Sequence, residues 1–450
     1  MEELQDKHHH LLHRLQLFPD PQVALALLRV CLGVQKITHL LRLLWSPLAD
    51  SFAVAVEGDI RATLEGIIGC GLDDAAWLQG GLPIRLGGLG VQHPTQVQLG
   101  AYISSSIAEA AGVFSPGDVA VAPDDDLWEA LGRLRDWMGS PADLWTTWLA
   151  QRRLPDARTV VEGEWFLQER WMAMVHNKVA AELLNCVGQR DQVRLRRERE
   201  PHAGAWLAAI PNEALGLSFG EAEFRLLLKV HLGLPLLHPE EVGSPCEACG
   251  EAMDLHGDHL VSCRHSGAVL RHNTLRSALD RVATAAGLST RSQVSLEGKE
   301  RPADLLISAW AEGRAVAVDL TVVHPLNASH HWTSAVAVVD AAEAAKVAKY
   351  GETCEKAGVL FVPLGIDTFG ACGAHGQDFL SKLFDRYAKR CGRDAVLRAP
   401  GQLQRECWER FLVAHHRAIG GQLARVLERD RTGPMAAAAR EDQGGLFADI

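Results

Sequence analysis

Two aspartates stand inside apolar runs, where an unpaired carboxylate is expensive. The stretch RPADLLISAWAEGRAVAVDLTVVHPL, residues 301–326, carries Asp304 and Asp319 on either side of a polar turn, Ala311-Glu312-Gly313-Arg314. In an antiparallel hairpin, a turn centred between Ala311 and Glu312 sets Asp304 opposite Asp319. A turn centred between Glu312 and Gly313 sets Thr321 opposite Asp304, with Asp319 two residues along. Both registers keep the carboxylates on one face. Close carboxylates repel unless one is protonated or a cation lies between them. A hard divalent ion, Mg2+ or Mn2+, held by Asp304 and Asp319 answers that repulsion. Downstream, KVAKY places Lys346, Lys349 and Tyr350 at helical i, i+3, i+4 spacing. A lysine on that face can counter charge developing on a scissile phosphate. Spacing alone also suits exposed aspartates at strand ends and lysines on a solvated helix.

The second chemical signature is CEACGEAMDLHGDHLVSC, residues 246–263. Cys246 and Cys249 have the C-x2-C spacing that grips one tetrahedral ion, and His259 and Cys263 lie one helical turn apart. These four form a Cys3His zinc set of structural type, with His256 or His265 as alternatives for the histidine. Just beyond it, residues 264–301 hold seven Lys or Arg side chains against three acids, in a chain whose formal net charge is −11. Arg264, Arg271, Arg276, Arg281, Arg291, Lys299 and Arg301 thus form a local basic stretch suited to a phosphate backbone. Glu297 is a further acid near the start of the aspartate hairpin. The run QRDQVRLRRERE, residues 189–200, reads as a solvated helix face, with phosphate contact as the other reading.

Taken together, C-x2-C, GDHLVSC, RHNTLR, RPADLL, DLTVVHP, KVAKYG and FVPLGIDTFG resemble the C-terminal part of reverse-transcriptase polyproteins of site-specific non-LTR retrotransposons. In that family a zinc knuckle precedes a restriction-like endonuclease of the PD-(D/E)XK superfamily. The resemblance covers about residues 240–372. It implies that Asp304 and Asp319 are the metal-binding acids. Thr321 occupies the place where other superfamily members carry a lysine, and the match assigns that role to Lys346 or Lys349. One residue is inserted in Pro302-Ala303-Asp304 relative to a plain Pro-Asp. Upstream, DPQVALALLRVCLG and LPIRLGGLGVQHPTQVQLGAYISS are similar to the thumb and following region of such enzymes. A Y/F-x-D-D palm signature is absent, so polymerisation is not expected. The implied function is metal-dependent nicking of DNA, with RNA as a second nucleic-acid partner and a nuclear location inferred from the substrate. A catalytically silent nucleic-acid-binding remnant is the alternative, and a helical scaffold built on the Trp-rich middle is a third.

The elements that must position these residues are legible in outline. Asp20 before Pro21 starts a helix, which continues toward Trp45 as one helix or as two broken at Gly33. Further helices are expected over about 51–70 and 95–111, and GVFSPGDVAVAPDDD reads as a linker. A helix over about 270–286 precedes three strand-like runs, STRSQVSL, RPADLLISAW and AVAVDLTVV; an Ala-rich helix over about 335–357 then leads to a strand in VLFVPLGID. The fold class is therefore mixed: an N-terminal all-α region, then a zinc knuckle and, as the resemblance implies, an α/β restriction-endonuclease-like domain with a mixed sheet. The expected divisions are 1–115 (thumb-like), 116–240 (helical, Trp-rich), 241–268 (knuckle), 269–400 (nuclease) and 401–450 (C-terminal helix and disordered tail).

With 450 residues, 47% hydrophobic and 22% charged, the chain has ordinary globular composition and length for more than one core. The polar first ten residues carry no apolar leader, and no run approaches the roughly 20 uninterrupted apolar residues of a membrane span. A soluble intracellular protein with no membrane partner is expected. Ten scattered cysteines argue against a disulfide framework.

Overall fold

A computed structural model describes residues 2–113, 123–139, 144–295, 303–327, 337–391 and 400–432. The chain is mostly helical with one four-stranded mixed sheet. It divides into two compact units, residues 1–187 and 188–450. The division falls inside the 116–240 segment that the sequence presents as one Trp-rich region. Arg301, Glu297 and Lys299 lie outside the described residues, as do residues 114–122 of the linker-like stretch and the tail beyond 432.

The first unit is entirely helical among its described residues. Asp20 caps the helix Pro21–Leu27 as expected, its Oδ1 accepting from Gln22 N at 2.8 Å and Val23 N at 3.0 Å. The path then breaks at Gly33, where a Cβ would come within 2.5 Å of the Leu28 carbonyl oxygen. Pro21–Leu41 is long and apolar enough by composition to cross a membrane, which departs from the sequence expectation. In the fold it is broken into short helical pieces and gives Leu25, Leu28, Ile37 and Leu41 to the core of its unit. The tryptophans Trp145, Trp148, Trp165 and Trp171 are buried in mutual contact, Trp145 on Trp171 and Trp148 on Trp165 edge-on and Trp165 on Trp171 tilted.

The second unit is built on the sheet. Strands β1 (Thr290–Val294), β2 (Ala303–Ala311), β3 (Arg314–Val323) and β4 (Leu360–Asp367) lie in that order, antiparallel, antiparallel and parallel. The helix Val338–Lys356 supplies the crossover that the parallel β3–β4 pair requires. Its Tyr350 and Cys354, one turn apart, are buried, and Cys354 packs with Leu306 and Ala317 on one face of the sheet. The hairpin turn, Glu312-Gly313, has positive φ at both residues (51° and 77°), the backbone of a type I′ turn.

The charge-rich helix Gln189–Glu198 is not a solvated face. Arg194, Arg197 and Glu198 are buried. Arg197 Nε donates to Asp367 Oδ2 at 2.6 Å, while Asp367 Oδ1 accepts from Phe369 N and Ala371 N. Arg194 pairs with Asp191 and Glu198 and donates to the His231 carbonyl. Arg190 makes a two-pronged bond to Asp258, at 2.7 and 2.9 Å. Buried charges are tolerable when each meets fixed partners, and Asp367, Asp258 and the His231 carbonyl lie on other elements, so local sequence does not reveal them. The C-terminal helix Pro400–Thr432 packs against the helices Glu221–Leu232, Ala268–Ala285 and Ala374–Cys391, so it belongs to the second unit's core and is not a separate segment.

Candidate metal centres and acidic cleft

Around Cys246 the backbone folds into a tight hairpin. Pro245 bridges Ala252, Gly250 N donates to the Cys246 carbonyl at 2.7 Å, and Gly250 takes the left-handed φ of 80° that a side chain disfavours. Asp254 then starts the next helix, Asp258–Ser262: its Oδ1 accepts from His256 N and Asp258 N, and its Oδ2 from His259 N. One turn of that helix sets His259 beside Cys263. The ligand atoms of Cys246, Cys249, His259 and Cys263 lie within 4.8 Å of one another, a set that can hold a metal ion such as zinc. Glu251 Oε2 sits 3.4 Å from His259 Nδ1, and His259 Nε2 faces Cys249 Sγ at 3.2 Å. With Glu251 on the Nδ1 side, Nε2 is the nitrogen that faces the cysteines. Of the three candidate histidines, the geometry gathers His259; His256 and His265 stand outside the cluster.

Asp304 and Asp319 are brought together by a hairpin that uses both registers. Leu305 pairs with Val318 and Leu306 with Ala317, which continues to Asp304 opposite Asp319; at the turn, Ala311 pairs with Arg314, the other register. A bulge between Ile307 and Ala311, with Ala309 at φ 52°, takes up the two-residue difference. An even slip preserves facing, so both carboxylates stay on the face covered by the helix Val338–Lys356.

They line one open cleft together with Ala268, Arg271, His272, Thr321 and Lys346. Lys346 Nζ lies 2.8 Å from Asp319 Oδ2. His272 Nε2 lies 3.0 Å from Asp304 Oδ2, which also accepts from Leu320 N at 2.8 Å. Asp304 takes both of its contacts on Oδ2, and Asp319 Oδ2 is buried with the Lys346 ammonium as its ion-pair partner. Burial, helped by Asp304, raises the Asp319 pKa from its ordinary value even though Lys346 pulls it down. For Asp304, burial acts upward, but the His272 and Leu320 hydrogen bonds with the His272 and Lys346 charges outweigh it and lower the pKa. His272 is raised by its bond to Asp304, against burial. Two carboxylates of one site pushed in opposite directions are a recurrent mark of functional positions.

Of the two lysines only Lys346 reaches the acids. Lys349 is exposed, and its Nζ donates to Tyr350 Oη at 2.7 Å and rests over that ring. His272 was not among the residues singled out from sequence; its partner is 32 positions away, and the RHNTLR stretch around it gave no spacing signal.

The basic stretch divides. Arg264, Arg281 and Arg291 are exposed and Arg276 is half-buried. Arg271 is buried at 5% exposure and donates through Nη1 to the Val261 carbonyl at 2.9 Å, with burial lowering its pKa to about 10. Through Nη1 it ties the helix Ala268–Ala285 to the knuckle helix, and it lines the acidic cleft from inside the fold and not from an exposed surface.

The chain matches no protein-family model and no curated protein.

Proposed function

We propose that this chain is a divalent-metal-dependent DNA endonuclease of retroelement origin, with the second unit carrying a PD-(D/E)XK-type site behind a structural zinc knuckle. The observation that carries the reading is Lys346 held 2.8 Å from Asp319 in a cleft that also contains Asp304. Two acids and a lysine on one face are the equipment of phosphodiester hydrolysis. Asp304 and Asp319 would hold Mg2+ or Mn2+, which when bound supplies Lewis acidity and a more acidic water. Lys346 would face the charge that develops on the scissile phosphate. His272 and the Leu320 N–H hold Asp304 through its Oδ2 at the edge of that cleft. The exposed Arg264, Arg281 and Arg291, with the half-buried Arg276, would meet the backbone of DNA, or of RNA, through salt-sensitive contacts. A nuclear location follows from that substrate.

One observation favours the silent nucleic-acid-binding alternative: Lys346 already neutralises part of the Asp319 charge that a cation would answer. The deciding experiment is nicking of supercoiled plasmid by the purified chain with Mg2+ or Mn2+. A metal-dependent nick supports the enzyme, and salt-sensitive binding without nicking selects the remnant.

A further inference from the structure

Thr321 stands two residues beyond Asp319 on β3, so the two side chains share a face about 6.6 Å apart along the strand. Its Oγ1 is shielded from solvent and has no hydrogen-bond partner among the described residues. It lines the same cleft as Asp304, Asp319 and Lys346. The neighbouring position on β4 is Gly365, which offers no side chain to satisfy it. Valine would fill the same volume, suit a strand at least as well and bury no hydroxyl. A shielded hydroxyl without a partner, beside two carboxylates, points to a ligand of the cleft.

We infer that Thr321 is a positioning residue of the acidic cleft, its Oγ1 holding a water in the hydration shell of a divalent cation bound by Asp304 and Asp319. The inference rests on the cation-binding part of the function proposed above. Residues 319–321 of β3 then serve one site in sequence. Asp319 contributes a carboxylate, Leu320 N–H anchors Asp304 at 2.8 Å, and Thr321 contributes a neutral oxygen. Small hard cations keep several waters when bound through one or two carboxylates, and an oxygen that orients such a water strengthens binding without adding charge.

The test is Mn2+ binding to the full chain, read from the loss of the free-ion electron paramagnetic resonance signal, for wild type, Thr321→Val, Thr321→Ser and Asp319→Asn. Wild type should bind Mn2+ in a manner lost in Asp319→Asn. Thr321→Val should bind about tenfold or more weakly, and Thr321→Ser within about twofold of wild type, because serine keeps the oxygen. Circular dichroism melts confirm folding, with Thr321→Ala as the substitute if valine disturbs the strand. Unchanged Mn2+ affinity in Thr321→Val or Thr321→Ala overturns the inference, as does equal weakening in Thr321→Ser. Wild type that binds no Mn2+ through Asp319 overturns it too. Mn2+ binding with the expected Thr321 pattern but no plasmid nicking would sustain this inference and sink the nuclease.

Discussion

Lys346 and Asp319 are joined across two elements, a helix and the strand that precedes it, at 2.8 Å. The lysine reaches Asp319 from the helix, while position 321, two residues along the strand on the same face, holds threonine. Lys349, one turn away, is held by Tyr350 instead. We therefore expect Lys346→Ala to lower the nicking rate by about 10²-fold or more, while Lys349→Ala stays within about twofold of wild type. Equal losses in single-turnover assays would contradict this division of labour.

Asp319 carries a cost that its function would explain. Burial and the nearby Asp304 raise its pKa, so the ionised form is disfavoured in the folded protein. A raised carboxylate pKa means the folded state binds the proton more tightly than the unfolded state and loses stability as pH rises through that range. Asp319→Asn should thus melt no lower than wild type at neutral pH without divalent metal, while abolishing nicking and preserving DNA binding. A markedly lowered melting temperature would mark Asp319 as a structural carboxylate.

The His272–Asp304 pair sets a pH window. The His272 pKa is raised, so its contribution to stability is complete below the unfolded value of about 6.5 and is lost as pH rises through the folded value. The Asp304 pKa is lowered, so its contribution is present above the unfolded value near 3.9 and is lost as pH falls through the lower folded value. His272→Gln should flatten the melting temperature's dependence on pH above about 6.5. Melts from pH 5 to 9 that match wild type throughout would show that the pair contributes nothing.

Much of the second unit is legible because its signals are local. C-x2-C with a histidine and cysteine one turn apart gives the ligand set, and alternating apolar runs around Glu312-Gly313 give the hairpin. The position of the acids on one face survived either choice of register, since the bulge shifts by two residues and not one. The rest depends on partners distant in sequence. Helical period places Lys346 and Lys349 on one face, but only packing tells which one meets Asp319. Arg271 looks like the other arginines of its stretch until the Val261 carbonyl is found against it. Residues 189–198 look solvated by composition, yet Arg197 is buried on Asp367, 170 positions away.

That last pair separates structural arginines from those proposed to meet nucleic acid. Arg197→Ala leaves Asp367 buried without its counter-charge and should destabilise the fold by about 3–5 kcal/mol. Arg281→Ala or Arg291→Ala should leave stability nearly unchanged and reduce the salt dependence of DNA binding by about one phosphate contact each. Denaturant titration and binding at several salt concentrations check both.

The knuckle should carry one zinc ion per chain by atomic emission. Cys246→Ser or Cys263→Ser should lose it and lower the melting temperature, while His256→Ala and His265→Ala retain it. Zinc retained after loss of a cysteine would contradict the ligand set.

The most direct measurement is supercoiled plasmid incubated with the wild-type chain and with Asp304→Ala/Asp319→Ala, in Mg2+, Mn2+ or chelator. The expected result is nicked circles from the wild type with metal alone, and none from the double mutant. Nicking by both proteins, or by neither while each is folded and zinc-loaded, would contradict the assignment of this cleft as a nuclease site.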